Sequence, residues 1–297
     1  MYLLLHGILL SILTCLCWGS TSVCLRGLKD LDAVEMSFLR SIGGFAASVP
    51  LALLFSSGRG LFSIPALDVG VLIALVLFNN IIGDVFLFLS LHRLGVARGA
   101  SISSTYPVVV AILSSLWFGE NLTLAVSTGT FLVVAGVFCL CSDKGSNGRM
   151  DAPGVIFAIL ASFFWGIGLL CNKYLLKDGL MPDLIVAGRG ITFLLAATIG
   201  WAFKSFVMDK RQDAWERIRV PQAKWAVLAG VLSLGVGAWT YSSALRFIPA
   251  SVATPIGASN PILATVLAFF IFHEKVSIFQ WFGVLLAVGG SVLVTLP

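Results

Sequence analysis

Charge is what this sequence has least of. Only 11% of its 297 residues are Asp, Glu, Lys or Arg, and its three histidines, His6, His92 and His273, are scattered. Soluble domains carry about a quarter charged residues, so a water-facing globule is excluded. No cluster of His, Cys and carboxylate stands at ligand or catalytic spacing, so no metal or cofactor is expected and a membrane enzyme is disfavoured. The six cysteines offer no substitute. Cys15 and Cys17, like Cys139 and Cys141, are two apart and point to different faces of a helix, and with Cys24 and Cys171 they read as small packing residues. Polar stretches are few: the segment "SDKGSNGRMD" and the loop "KSFVMDKRQDAWERIRVPQAK" are the main ones. The net charge of +5 resides in loops and is no argument for nucleic acid.

Apolar residues are abundant instead, at 58% with a mean hydropathy of +1.00. They form about ten runs, at 6–25, 34–55, 69–91, 95–118, 123–141, 154–175, 184–203, 225–245, 250–272 and 277–296. A helix of about 20 residues spans a hydrocarbon core of roughly 30 Å, and these runs are apolar on every face, unlike the alternating strands of a barrel. The first run lacks a basic start and a small-residue exit, so it reads as retained rather than as a cleaved signal. The expectation is an all-α integral membrane protein.

The same sentence is written twice. "SSTYPVVVAILSSLWFGEN" returns as "IGASNPILATVLAFFIFHEK", which sets Pro107 on Pro261, Phe118 on Phe272, Glu120 on Glu274, Gly129 on Gly283 and Gly136 on Gly290 at one offset. Upstream, Trp18, Gly19, Cys24 and Arg26 match Trp165, Gly166, Cys171 and Lys173, and Arg40 meets Arg189. Two five-helix units therefore occupy 1–141 and 153–297, with 142–152 as linker. Five is odd, so the second unit starts on the opposite side of the membrane. Ten transmembrane helices as two inverted repeats can exchange conformations around a central site.

With these motifs in hand, the chain resembles EamA-like members of the drug/metabolite transporter superfamily over nearly its whole length. The resemblance rests on the ten runs, the Trp-Gly of the first helix in each half, the prolines of "TYP" and "SNP", and the Phe-x-Glu that ends each fourth helix. It implies alternating access and the export of amino acids, drugs or other small metabolites.

The residues that could line a solute pathway follow from polarity at depth. Runs four and nine are small and hydroxylated before Pro107 and Pro261, bulky and apolar after. A mid-run proline frees the carbonyl four residues back, at Ser103 or Gly257, and such a carbonyl needs a cavity or a packed polar partner; both readings stand. Trp18 and Trp165 lie mid-helix, away from headgroup depth, as cavity wall or as interface filler. Tyr106, Trp239, Tyr241 and Asn260 would add stacking faces and hydrogen-bond groups for an aromatic or amphipathic solute. Asp84 is the deepest charge, one turn from Asn80 on the same face, and its counterpart is Ala238. An aspartate at mid-bilayer costs at least about 2.5 kcal/mol, so it is either a solute- or proton-handling group or the partner of an arginine.

Arg40 and Arg189 lie near helix ends, where snorkelling to the headgroups or service as a gate pair on opposite faces are the two readings. Glu120 and Glu274 just precede the fifth and tenth helices and are expected to favour those helix starts. Gly129, Gly136, Gly283, Gly289 and Gly290 allow close helix packing, within the chain or in a homodimer. Loop charge favours outward termini, whereas the resemblance implies inward ones.

The expected function is a secondary exporter of small organic metabolites in the cell membrane, with protons as coupling ion. The alternatives are a flippase or carrier for a lipid-linked or sugar-type substrate, or a channel-like helical protein.

Overall fold

The computed structural model describes residues 2–25, 28, 31–55, 60, 63–94, 99, 102–141, 151–260, 262–263, 266 and 277–296. Pro261 and Glu274, and most of the 142–152 linker, lie outside them. Every regular element among the described residues is helical: α1 (Tyr2–Leu25), α2 (Ala33–Phe55), α3 (Ala66–Leu94), α4 (Tyr106–Phe118), α5 (Leu124–Cys141), α6 (Ala152–Lys177), α7 (Pro182–Met208), the short α8 (Ala214–Ile218), α9 (Ala223–Ala244), α10 (Ala250–Ala258) and α11 (Ile278–Leu293). Six of them, α1, α2, α3, α6, α7 and α9, are long and apolar enough to cross a membrane, and α4, α5 and α11 are shorter apolar helices.

Local chemistry sets the boundaries. Asp32 and Glu35 form a reciprocal capping box at α2: the Glu35 N–H donates to Asp32 Oδ1 at 3.0 Å and the Asp32 N–H to Glu35 Oε2 at 2.9 Å. Thr123 Oγ1 accepts from the Val126 N–H at the start of α5, and Asp151 from the Gly154 N–H at α6. Gly119 closes α4 with φ 68°, a left-handed conformation that glycine adopts without cost. Pro107 departs from the mid-helix kink expected of it. The helix breaks at Ser104 and Thr105, and Pro107 stands in the first turn of α4, where its missing N–H is harmless.

The two halves exchange partners. The first helix α1 packs on α9 and α10, and its counterpart α6 packs on α3 and α4; α2 packs on α9, and α7 on α3. Three pairs join equivalent helices directly: α2 with α7, α4 with α10, and α5 with α11. Each contact thus has a twin with the halves interchanged, the mark of a two-fold relation. Gly7 at the start of α1 meets Ile248 just past α9, and Gly154 at the start of α6 meets Leu94 at the end of α3.

Helices α5 and α11 pack backbone to backbone. A Cβ on Gly136 would come 2.6 Å from Gly283 O, and one on Gly290 would come 2.5 Å from Gly129 O. These glycines therefore serve contact within the chain rather than the homodimer reading, whereas Gly289 has nothing within 4 Å of the place a Cβ would take. Gly136→Ala is expected to cost about 1–3 kcal/mol by forcing backbones apart, and Gly289→Ala to be neutral, in thermal melts of the detergent-solubilised protein.

Charges collect where α2 starts and α7 ends. Glu35, 2% exposed, accepts from Arg217 Nε at 2.7 Å and Arg211 at 3.0 Å, while Lys204 bridges Asp32 and Asp209 at 2.8 Å each. Partial burial works against the charged form of Asp32, but hydrogen bonds from Lys204 and from the Glu35 and Val34 N–H groups outweigh it and hold the carboxyl below its usual range. The depressed value means that Asp32 stabilises the fold fully at neutral pH and loses that contribution as pH falls from about 5 through the folded value. Asp32→Asn should lower the melting temperature at pH 7 and flatten its decline with acid.

Candidate functional site

The third helix of each half is interrupted by a π-helical turn, Leu77–Ile82 in α3 and Val231–Val236 in α9, 154 residues apart. Such turns displace the following helix and often lie at functional positions. A glycine follows each, and each glycine receives a tryptophan from the first helix of the other half. A Cβ on Gly237 would lie 2.9 Å from Trp18 Cδ1, and one on Gly83 would strike Trp165 Cδ1. Trp18 Nε1 donates to the Ser233 carbonyl inside its π turn at 3.2 Å. Trp165 Nε1 donates to Asp84 Oδ1 at 3.1 Å, and Asn79 Nδ2 donates to the Trp165 carbonyl at 3.3 Å.

Polarity is unequal around this axis. Arg189, 8% exposed, donates through Nε to Asn80 Oδ1 at 3.2 Å and through an Nη to Asn79 Oδ1 at 3.0 Å. Arg40 and Arg189 are the cations whose fields reach the Asp84 carboxylate. They lie seven residues past Ala33 and Pro182, the first residues of their helices. For Arg189 the two carboxamides supply acceptors that an arginine aimed at headgroups would leave unmet, which favours an inward partner over snorkelling. The buried carboxylates Glu35, Asp68 and Asp183 lie instead in first turns of helices, where the positive helix end favours them.

Between α2, α3 and α7 opens a cleft of about 180 Å³. Asn80, Asp84 and Ser37 are its polar lining, while Phe88, Phe193 and Val85 are among its apolar walls. Asn80 and Asp84 thus share one face, as their spacing requires. The remaining expected residues gather around the tryptophans. Tyr106 meets Trp165 edge-on at 6.0 Å and Tyr241 meets Trp18 at 5.6 Å, and both tyrosines belong to the buried core. Ser103 and Pro107 are buried, and the Ser103 hydroxyl has no hydrogen-bond partner among the described residues. Asn260 turns back on the Gly257 carbonyl at 3.2 Å. Trp239 stands apart, stacked on Phe55 at 5.8 Å.

Glu120 does sit at a helix start, but not that of α5. Thr123 already caps α5, and the Glu120 carboxylate instead accepts from the Ala250 and Ser251 N–H groups of α10 at 2.8 and 2.9 Å and pairs with Lys173. Asn79, a hub joining Arg189 to Trp165, was not singled out from the sequence. Its adjacency to Asn80 was the available signal.

A family model for the EamA-like transporter family matches residues 5–142 and again 152–296. An "Uncharacterized transporter" of Archaeoglobus fulgidus is 26% identical over 291 residues, covering 98% of both chains. A shorter match, 39% identical over 72 residues, joins 24% of this chain to 62% of a Pseudomonas fluorescens protein named "Probable 4-amino-4-deoxy-L-arabinose-phosphoundecaprenol flippase subunit ArnE". A solved crystal structure superposes with a TM-score of 0.81 at 18% identity over 98% of each chain, a likeness of fold.

Asp84 and Arg189 should behave as a coupled pair. In thermal melts, Asp84→Asn and Arg189→Gln each destabilise, and the double variant is expected to recover at least about 0.5 kcal/mol relative to their sum; additivity within about 0.3 kcal/mol would separate them.

Proposed function

Because the chain belongs to the EamA-like transporter family, we propose that it is a secondary transporter that exports small organic solutes by alternating access. Membership of that family makes it a multi-pass membrane protein of the drug/metabolite transporter superfamily. The reading adopted here has ten helices crossing the bilayer as two inverted five-helix units, near 1–141 and 153–297, in the cell membrane.

The observation that carries it is the doubled contact at the centre. Trp18 on Gly237 and Trp165 on Gly83 are the same joint made twice, once by each half on the other. Two equivalent joints allow two equivalent arrangements, in which one half adopts the geometry of its twin and the site opens to the other side. Asp84 lies in one of these joints and in the cleft, so its ionisation state can bias which arrangement is preferred. This supports a proton as the coupling ion and a solute of amino-acid-like, aromatic or amphipathic character.

A second reading, a carrier or flippase for a lipid-linked substrate, is favoured by the largely apolar walls of the cleft and by the short match to the ArnE protein. Flux of water-soluble solutes from protein-containing vesicles, absent from protein-free ones, supports the exporter; movement of a polyprenyl-linked probe alone supports the second reading.

Coupling is tested in proteoliposomes by counterflow across a panel of aromatic and amphipathic amino acids between about pH 6 and 8, the interval around neutrality where coupled carboxyl groups are tuned to act. Asp84→Asn is expected to retain exchange and lose its pH dependence. An unchanged pH profile removes Asp84 from proton coupling.

A further inference from the structure

The pair of helices α2 and α7 is fastened differently at its two ends. Where α2 begins and α7 ends, Glu35 accepts from Arg211 and Arg217, Lys204 bridges Asp32 and Asp209, and Trp201 stacks on Phe38 at 4.8 Å. Segment 209–218 of the second half thus lies over the start of a first-half helix, with Ala214 and Ile218 of α8 in one apolar cluster with Leu31, Phe38 and Leu39. The alignment that sets Arg40 on Arg189 places Leu184, Ala187 and Ala52 at the positions of Glu35, Phe38 and Trp201. Those three form a small aliphatic cluster at the other end of the pair, and Met181 and Phe55 stand where Asp32 and Lys204 would be. Position is kept between the ends and chemistry is not.

The cleft shows the same inequality. Ser37, Asp84 and Phe88 line it and are partly exposed. Their counterparts Val186, Ala238 and Ser242, on α7 and α9, are 1%, 1% and 0% exposed. One opening is present and its twin is packed. On α2, the fastened residues Glu35, Phe38 and Leu39 lie about half a turn round the helix from the cleft residues Ala33, Val34 and Ser37. Among the described residues the fastening cluster draws on α2, α7, α8 and α9 and not on α3, so it holds α2 and α7 from the side opposite the cleft.

We propose that segment 209–218 is a latch: it holds the molecule in the arrangement with the cleft between α2, α3 and α7 open, and its release lets that cleft close while the twin position between α7, α9 and α2 opens. This deepens the alternating-access reading and rests on it. A contact shifts an equilibrium only when one state makes it and the other does not. The exchanged arrangement has Leu184 in the role of Glu35 and Phe55 in that of Lys204, so it cannot replace the ion pairs it breaks.

The test reads both openings by the same chemistry. Ser37→Cys and Val186→Cys are made separately, placed in phosphatidylcholine nanodiscs and labelled with N-ethylmaleimide, with labelling of the parent protein's native cysteines subtracted. Position 37 is expected to react faster than position 186, and equal rates would overturn the proposal. Glu35→Gln removes the charge that the arginines hold and keeps a side-chain acceptor for the Asp32 N–H. It should slow position 37 and quicken position 186, each by at least about threefold. Arg217→Gln, which leaves Arg211 on Glu35, should move both rates in the same directions to a smaller extent, and it is the deciding variant where Glu35→Gln does not fold. Rates that change with the same sign, a change at one position alone, or no change would overturn the latch. Flux in vesicles is a separate readout: its absence counts against the transporter reading, whereas a missing reciprocal change counts against the latch alone.

Discussion

Two tryptophan side chains pressed against two glycines hold the centre of this protein, and the rest of the bundle is arranged around that joint. Gly83 and Gly237 are the positions where a side chain would collide with the indole of the opposite half. Each follows a π turn, which sets the helix axis so that the indole N–H finds an acceptor: the Ser233 carbonyl on one side, the Asp84 carboxylate on the other. Space, backbone geometry and hydrogen bonding are satisfied together. The same joint explains why α1 and α6 pack on the other half's helices rather than on their own.

Symmetry of shape combined with asymmetry of charge is the second constraint. The arginines obey the two-fold relation; Asp84, Asn79 and Asn80 do not. In a bilayer a buried ion persists only with partners. Arg189 has two carboxamides, Asp84 has an indole and two cationic neighbours, and Arg40 has the least. The chemistry of the site is concentrated where the repeat is broken, at Asn79, Asn80 and Asp84, whose counterparts are Ser233, Leu234 and Ala238. A strictly symmetric centre would present identical halves to a solute and could not hold a single titratable group.

Much of this was legible in the sequence, because membrane burial writes plainly. Apolar runs gave the helices, and one offset aligned the prolines, glycines and tryptophans of the two halves. The depth of Trp18 and Trp165 marked the centre, and the Asn80 and Asp84 spacing marked a shared face. What could not be read depended on which helix faces which. Glu120 is a helix-end residue by type, yet the helix it serves begins 130 residues later at Ala250, and only the fold brings the two together. Arg189 looked like a headgroup anchor because its depth along the helix was visible and the carboxamides of Asn79 and Asn80 waiting further in were not. The π turns leave no periodic signature, since one added residue per turn is a packing outcome at Asn, Ser and Gly positions rather than a pattern. Pro107 was expected to kink a helix and instead begins one, because Ser104 and Thr105 can turn the chain before it.

The central claim is that two equivalent units stand in opposite orientations across the bilayer. It is tested most directly by placing a single accessible tag at the amino terminus and, in a separate protein, at position 146, and reacting intact cells with a membrane-impermeant reagent. One tag is expected to react only in intact cells' exterior and the other only after permeabilisation. Both tags reacting from the same side would contradict inverted repeats, and with them the doubled joint as the pivot of alternating access.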